Sequence, residues 1–255
     1  MKINLLEQGK AEEWDEYVRQ HPDATLYHLT AWRNIIADCF GHKSYYFYAQ
    51  NDAGKICGVL PVVHMNSLLF GSNLYSLPFF NYGSALSDND GITKELIAAA
   101  IQLGQQKKVN YLQIRESKAL NNIELASSTS KVNMILELPE SPEVLGQQIG
   151  SKRRSQIKRP IREGVSHKFG NIELLDDFYE VFCINMRDLG TPVYSKAFFA
   201  SILKTFPENA KLCVAYWQGK PVATGFLLHF NNQMEIPWAS TVRYANKISV
   251  NMYLY

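Results

Sequence analysis

The usual signatures of dedicated catalysis are missing from this chain. Its 255 residues contain no GxSxG elbow, no HExxH helix, no CxxC pair and no Walker loop. Their absence removes the standard markers of serine hydrolases, zinc proteases, metal or redox cysteine centres and P-loop enzymes. Cysteine is scarce: Cys39, Cys57, Cys183 and Cys213 are scattered singly among apolar neighbours, as expected of core fillers in a reduced compartment. No run approaches the roughly 18 apolar residues of a membrane span, and the amino terminus, MKINLLEQGKAEEWDEY, has no apolar core of a leader. These features predict a cytoplasmic chain with no membrane span. The formal net charge of +2 means that affinity for an anion must come from a local patch.

One such patch is present. From Gly150 to Gly164 the chain reads GSKRRSQIKRPIREG, and six of the eleven residues from Lys152 to Arg162 are Lys or Arg. On a helix Arg154, Lys158 and Arg162 share one face, while Ile157 and Ile161 share another that is expected to pack inward. Pro160 is expected to bend or end this helix near Arg159. A solvated basic face is the ordinary reading of such a run. Its position favours more, because similar patterns lie on both sides of it. It reads as a hinge segment between two related halves, its cations facing what lies between them.

The two halves can be laid on one another. Helical patterns at 11–20 and in YHLTAWRNIIADCF precede a strand at 45–50, a turn at NDAGK and a strand at 56–65. After the basic run, helices in IELLDDFYEVFCINMRDLG and TPVYSKAFFASILKTF precede a strand at 211–216, a turn at WQGK and a strand at 221–230. Gly54, Lys55 and His64 lie 165 residues before Gly219, Lys220 and His229, and Ala49 lies 166 before Ala215. This correspondence predicts an old duplication of an α+β unit. His64 and His229, ending matching strands, read as structural hydrogen-bonding residues; no metal site is expected. Pro61 within its strand implies a bulge or an edge. Further strands are expected at 109–115, 132–138 and 233–240, and a helix at 93–106.

The strings HPDATLYHLTAWRNIIADCFGH, GKICGVLPVVHMNSLLFGSNLYSLPFFNYGSAL, KRRSQIKRPIREG and IPWASTVRYANKISVNMYLY resemble the FemAB-like proteins, with the exosortase/PEP-CTERM-associated branch the nearest in pattern. The resemblance implies an α+β fold of two tandem GNAT-like lobes with a cleft between them: a first lobe at 1–140, the basic connecting segment at 141–170 and a second lobe at 171–255. It implies transfer of an acyl or aminoacyl group to an amine on an anionic cell-envelope or exopolysaccharide-related precursor, soluble or lipid-linked, with aminoacyl-tRNA as a possible partner. Such chemistry needs two aligned substrates and a polarised carbonyl, not a nucleophile visible in the sequence.

Fem ligases hold substrate phosphates with basic residues, one of them from the segment that opens the second lobe. Arg154, with Arg153 and Lys158 beside it, falls in that stretch, and Arg suits bidentate phosphate binding. Those ligases also carry a Lys shortly after a helical Trp; Trp32 matches the Trp, but Arg33, Asn34, Ile35 and Ile36 follow it. Asn81 and Tyr82, and Trp238, Arg243 and Tyr244, follow strands where a ligand wall is plausible or where a turn and ordinary packing would serve. Neither NYGSALSDNDG nor STVRYANKIS is a Gly-rich pyrophosphate loop, so no cofactor is expected and CoA is not the expected donor. No catalytic base is identified. The rival readings are a non-catalytic protein of the same fold that binds an anionic ligand, and an RNA-binding protein. About 75 residues follow His64 within the first lobe and 26 follow His229, which predicts a second lobe incomplete at its carboxyl end, with a partner chain as one way to cover the open edge.

Overall fold

A computed structural model describes residues 1–7, 9–116, 120, 123 and 125–255. They form two units, Met1–Thr129 with Phe230–Gln233, and Ser130–His229 with Met234–Tyr255.

In the amino-terminal unit, β1 (Lys2–Leu5) leads to α1 (Ala11–Gln20) and α2 (Trp32–Phe40), then β2 (Lys43–Gln50), β3 (Ile56–Ser67), β4 (Gly71–Tyr75), β5 (Leu86–Ser87), α3 (Asp90–Lys107) and β6 (Leu112–Gln113). The sheet order is β1-β2-β3-β4-β6, with β5 also on β3. Among the described residues these pairs are antiparallel except β4 with β6. Side chains alternate across this sheet as the period of two demands. Phe47 and Ala49 pack with Leu96, Ile97, Ala100 and Leu103 of α3, whereas Tyr46 meets Trp14 of α1, ring centroids 5.1 Å apart. Pro61 lies on a strand paired throughout with β2, but on the other side β3 meets β5 at 58–59 and β4 at 63–67. The missing donor of Pro61 thus falls in the gap between those two partners.

Between α1 and α2 the buried His28 ties the segment to a distant loop. One ring nitrogen accepts from the Thr25 amide at 3.1 Å, and Nε2 donates to the Ser84 carbonyl, also at 3.1 Å. Burial pushes this imidazole down to about 4. The folded unit therefore holds His28 neutral, and the stabilisation is complete above the unfolded value near 6.5 and is lost as pH falls from there toward 4. The full loss is roughly 3 kcal/mol. Thermal unfolding between pH 7.5 and 4.5 should show this slope, and His28→Gln should flatten it; equal slopes in both proteins would contradict the assignment.

In the carboxyl-terminal unit, α4 (Pro142–Gln148) and α5 (Gly150–Arg162) precede β7 (Ser166–Gly170), α6 (Leu175–Leu189), α7 (Lys196–Thr205), β8 (Ala210–Trp217), β9 (Lys220–Phe230), β10 (Gln233–Thr241), a 3-10 turn at Arg243–Ile248 and α8 (Val250–Leu254). The sheet order is β10-β9-β8-β7. Pro237 sits in β10, an end strand of that order, where a missing donor is tolerated. Phe178, Phe182, Phe199 and Phe226 are buried, with Phe178 and Phe199 edge to face at 4.9 Å.

The repeat seen in the sequence reappears in backbone detail. The β2–β3 hairpin shifts register between Ala49 and Gln50, and the β8–β9 hairpin shifts between Ala215 and Tyr216. Each then turns on a glycine with positive φ, 76° at Gly54 and 77° at Gly219. Two hairpins that share a bulge 166 residues apart and a left-handed turn 165 residues apart are hard to attribute to the turn residues alone.

Two expectations are corrected. The strand at 109–115 shrinks to β6. Residues 132–138 form no strand, and Val132, Met134, Ile135, Leu136 and Leu138 are exposed. Their apolar pattern suits a strand, but no strand among the described residues pairs with them.

Gly83 follows the loop that carries Phe80. A Cβ at this position would run into the backbone carbonyl of Ser76 and the side chain of Leu77, and the backbone cannot simply rotate away. Gly83→Ala should destabilise the amino-terminal unit by about 1–3 kcal/mol, read as a shifted midpoint in urea with unchanged slope. An unaltered midpoint would show that the loop moves freely.

Candidate functional site

The basic segment forms α5, and the residues flanking it explain how it is held. Ser141 caps α4 by accepting from the Val144 amide at 3.4 Å, with Pro142 opening the helix. Gly150, at φ 78°, lets the chain turn between α4 and α5. One turn into α5, Arg154 reaches back: its Nη1 donates to the carbonyls of Gly146 at 2.7 Å and Gln147 at 3.2 Å. These are carbonyls of the last turn of α4, where unpaired acceptors and the negative end of the helix dipole favour a cation. The guanidinium clamps the two helices together.

The far end of α5 is equally determined. Gly164, at φ 79°, donates to Ile161, and Val165 donates to Pro160 at 2.9 Å. This is a Schellman closure, and both Val165 and Pro160 are buried. Trp217 adds a bond from Nε1 to the Glu163 carbonyl at 3.0 Å. Pro160 therefore does not end the helix near Arg159; α5 continues to Arg162. The same closure turns the packed face toward Ile157 and Pro160 and leaves Ile161 55% exposed, which corrects the expectation that Ile161 packs inward. The inner side of α5 meets α8 and the 3-10 turn before it.

The exposed side carries a shallow groove of about 490 Å³ lined by Ser151, Arg154, Ser155, Lys158, Ile161 and Arg162. Arg154 and Lys158, both expected to bind substrate, are brought together there. Arg153 is exposed but is not among the lining residues. Ser151 and Ser155 were not singled out from the sequence, and their spacing of four was the signal that could have found them; Ile161, expected to pack inward, lines the groove instead. No carboxylate lies within the thirteen residues of α5.

The other expected residues have different surroundings. Trp32 is fully buried, donates from Nε1 to the Leu26 carbonyl at 2.9 Å, and packs against Phe80 at 4.5 Å. It is a core residue, and no ligand can reach it in this conformation. Trp238 is buried among Tyr194, Phe198, Phe199 and Phe226. Arg243 donates to the Asp188 carbonyl at 2.6 Å and pairs with its carboxylate at 3.5 Å, while Tyr244 is exposed and stacks on Trp217. The three do not share one wall, because their neighbours draw them apart. Asn81 is exposed and Tyr82 half-buried.

Neither residue lines the cavity of the amino-terminal unit. That cavity, of about 450 Å³, is bordered by His21, Asp23, Asp88, Asp90 and Glu116 among others. No Lys or Arg is among its lining residues, so it is poorly suited to phosphate. Tyr17 donates to Asp88 at 2.9 Å, and burial, then that carboxylate, raises the phenol well above its ordinary range. Among the described residues no group of three or more His, Cys, Asp or Glu could hold a metal ion, and no helix is long and apolar enough to cross a membrane.

Arg154 should be separable from its neighbours by mutation. Arg154→Ala leaves carbonyls of α4 without their partner and should cost about 1–3 kcal/mol, whereas Lys158→Ala, at an exposed position, should change stability by less than about 0.5 kcal/mol. Equal denaturation midpoints for both variants would show that the clamp contributes nothing.

Residues 118–221, a stretch containing all of α4 and α5, match the FemAB family. Over 121 residues the chain is 26% identical to the UDP-N-acetylmuramoylpentapeptide-lysine N(6)-alanyltransferase of Weissella viridescens, covering 46% of this chain and 36% of that enzyme. The match thus spans about a third of the curated relative's length. The crystal structure of FemX aligns over 99% of this chain and 83% of its own, with 12% identity and a TM-score of 0.67. The C-terminal domain of a putative lysylphosphatidylglycerol synthetase from Agrobacterium fabrum aligns over 96% and 72%, at 11% identity and a TM-score of 0.50. At such identities these likenesses establish the fold alone: a mixed α+β fold like that of FemX, as the α+β expectation from the sequence required. Residues 118–221 are thus similar to the FemAB family, and the fold of the chain is similar to that of FemX.

Proposed function

We propose that the chain is a FemAB-type aminoacyl- or acyltransferase whose acceptor is an amine on an anionic cell-envelope precursor, held by the basic face of α5. One observation carries this reading: the carboxylate-free cationic groove lies within the segment that matches the FemAB family. Lys158 and Arg162 would meet the anionic group directly, Arg154 would do so with what its clamp leaves available, and Arg153 would add long-range attraction from the flank. The relative's name specifies a UDP-linked muramyl pentapeptide and a lysine amine, an acceptor with the diphosphate and the nucleophile that this reading requires.

In the reaction the neutral amine attacks the carbonyl of an activated ester. An amide C–N bond forms, the ester C–O bond breaks, and the amine gives up a proton as the leaving alcohol gains one. Alignment of the two substrates supplies much of such a rate enhancement. An acceptor from surface-polysaccharide assembly, as the exosortase-associated resemblance implies, would use the same grip through its own anionic carrier. Asn81, Tyr82 and Tyr244 remain candidates for contacts around either substrate. CoA has no place in this proposal, and aminoacyl-tRNA is the proposed donor.

Transfer of a radiolabelled amino acid from charged tRNA to a UDP-linked muramyl pentapeptide tests the proposal, with acetyl-CoA as the contrasting donor. Lys158→Ala and Arg162→Ala should each lower kcat/KM about 10- to 100-fold, mainly through KM, as loss of a charge-assisted contact of roughly 1.5–3 kcal/mol requires. Undiminished transfer by both variants would remove α5 from the site. Tight acceptor binding without transfer from any charged tRNA or from acetyl-CoA would favour a binding protein of the same fold.

A further inference from the structure

A compact group of exposed apolar side chains lies far along the sequence from α5, at the tip of the β3–β4 hairpin. Register ends at Ser67 opposite Gly71, and the three residues between them are Leu68, Leu69 and Phe70. Phe70 is 81% exposed, and the two leucines more so. The tip is built. Ser67 Oγ accepts from the amides of Leu69 at 3.3 Å and Phe70 at 3.4 Å, and Asn73 Nδ2 donates to the Phe70 carbonyl at 3.2 Å. Gly71 closes the turn at φ 73°, where a Cβ would strike the Asn110 side chain. Three backbone polar groups of the tip are thus satisfied within it, as an apolar medium demands.

Cations gather beneath this tip. Lys43 pairs in register with His64, three residues before Ser67. Lys43 and Lys107 both lie over the Tyr45 ring, at 5.4 and 5.7 Å, and Lys107 helps hold the His64 imidazole below its ordinary range, after burial. Lys108 follows, two residues before Asn110, whose amide donates to the Ser72 carbonyl. All three lysines are exposed. The segments that build this end, residues 39–50, 53–87 and 96–115, contain no Asp or Glu.

We propose that this tip is a membrane-interface anchor: Leu68, Leu69 and Phe70 enter the acyl boundary of an anionic bilayer while Lys43, Lys107 and Lys108 meet its headgroups. The choice of lipid over a protein partner follows from shape and area. Three side chains on a convex tip offer far less than the roughly 800 Å² per partner of a stable protein interface, whereas a bilayer requires no complementary pocket. A single small apolar anchor binds lipid marginally, and a basic collar supplies the second signal that makes such binding effective. The inference needs nothing from the transferase reading, and its test does not measure transfer.

Flotation of the full chain with vesicles of equal parts phosphatidylglycerol and phosphatidylcholine, and with phosphatidylcholine alone, is the experiment. The wild type should bind the anionic vesicles, less so in high salt, and bind neutral ones weakly. The triple variant Leu68→Ser, Leu69→Ser, Phe70→Ser should lose at least tenfold in partitioning, and Lys107→Gln with Lys108→Gln about tenfold. All variants should keep wild-type melting temperatures, since these side chains are exposed. Failure of the wild type to float with anionic vesicles overturns the proposal, as does undiminished binding by the triple variant. A wild-type dimer that the triple variant makes monomeric, with no vesicle binding by either, would assign the tip to a second copy of the chain.

Discussion

The guanidinium of Arg154, set against the last carbonyls of α4, is the contact on which the candidate site depends. Without it a seven-residue helix would end on unpaired acceptors and have little reason to hold its angle to α5. With it, and with the Schellman closure at Pro160 and Val165, α5 is fixed at both ends. Its exposed side then presents Lys158 and Arg162 on a rigid element, a better platform for charge recognition than a loop. A residue that first reads as a ligand for phosphate thus also serves as the strut for its neighbours.

Much of the fold was legible because periodicity reports burial directly. Helices at 11–20 and 175–189 and both long hairpins stand where their patterns place them. The change of offset, from 166 at Ala49 to 165 at Gly54, fits a second turn one residue shorter; the register shift beside Ala49 and Ala215 was not legible in it. Periodicity misled where it lacked a partner: the apolar alternation at 132–138 meets no described strand. Ile161 misled for a related reason. The helical wheel assigns it a face, but the motif at the end of α5 decides which face packs.

The site was less legible than the fold. Charge density located α5, since six cations in eleven residues leave few alternatives. Which cations act together depended on long-range detail invisible in the chain: the carbonyls that occupy Arg154, and the groove that includes Ser151 and Ser155 but not Arg153. Aromatic residues were the poorest guides. Trp32, matched to the helical Trp of Fem ligases, and Trp238, read as part of a ligand wall, each fill a core, because a large ring gains most by leaving water completely. Arg243 is drawn instead to Asp188.

The central claim is that the outer face of α5 recognises an anionic group, and backbone amide chemical shifts measured while UDP-N-acetylmuramoyl-pentapeptide is added test it most directly. The account predicts saturable shifts concentrated at residues 151–162, much reduced in the Lys158→Ala, Arg162→Ala double variant. Saturable shifts that leave α5 untouched and gather instead around the acidic cavity at residues 84–93 would contradict it.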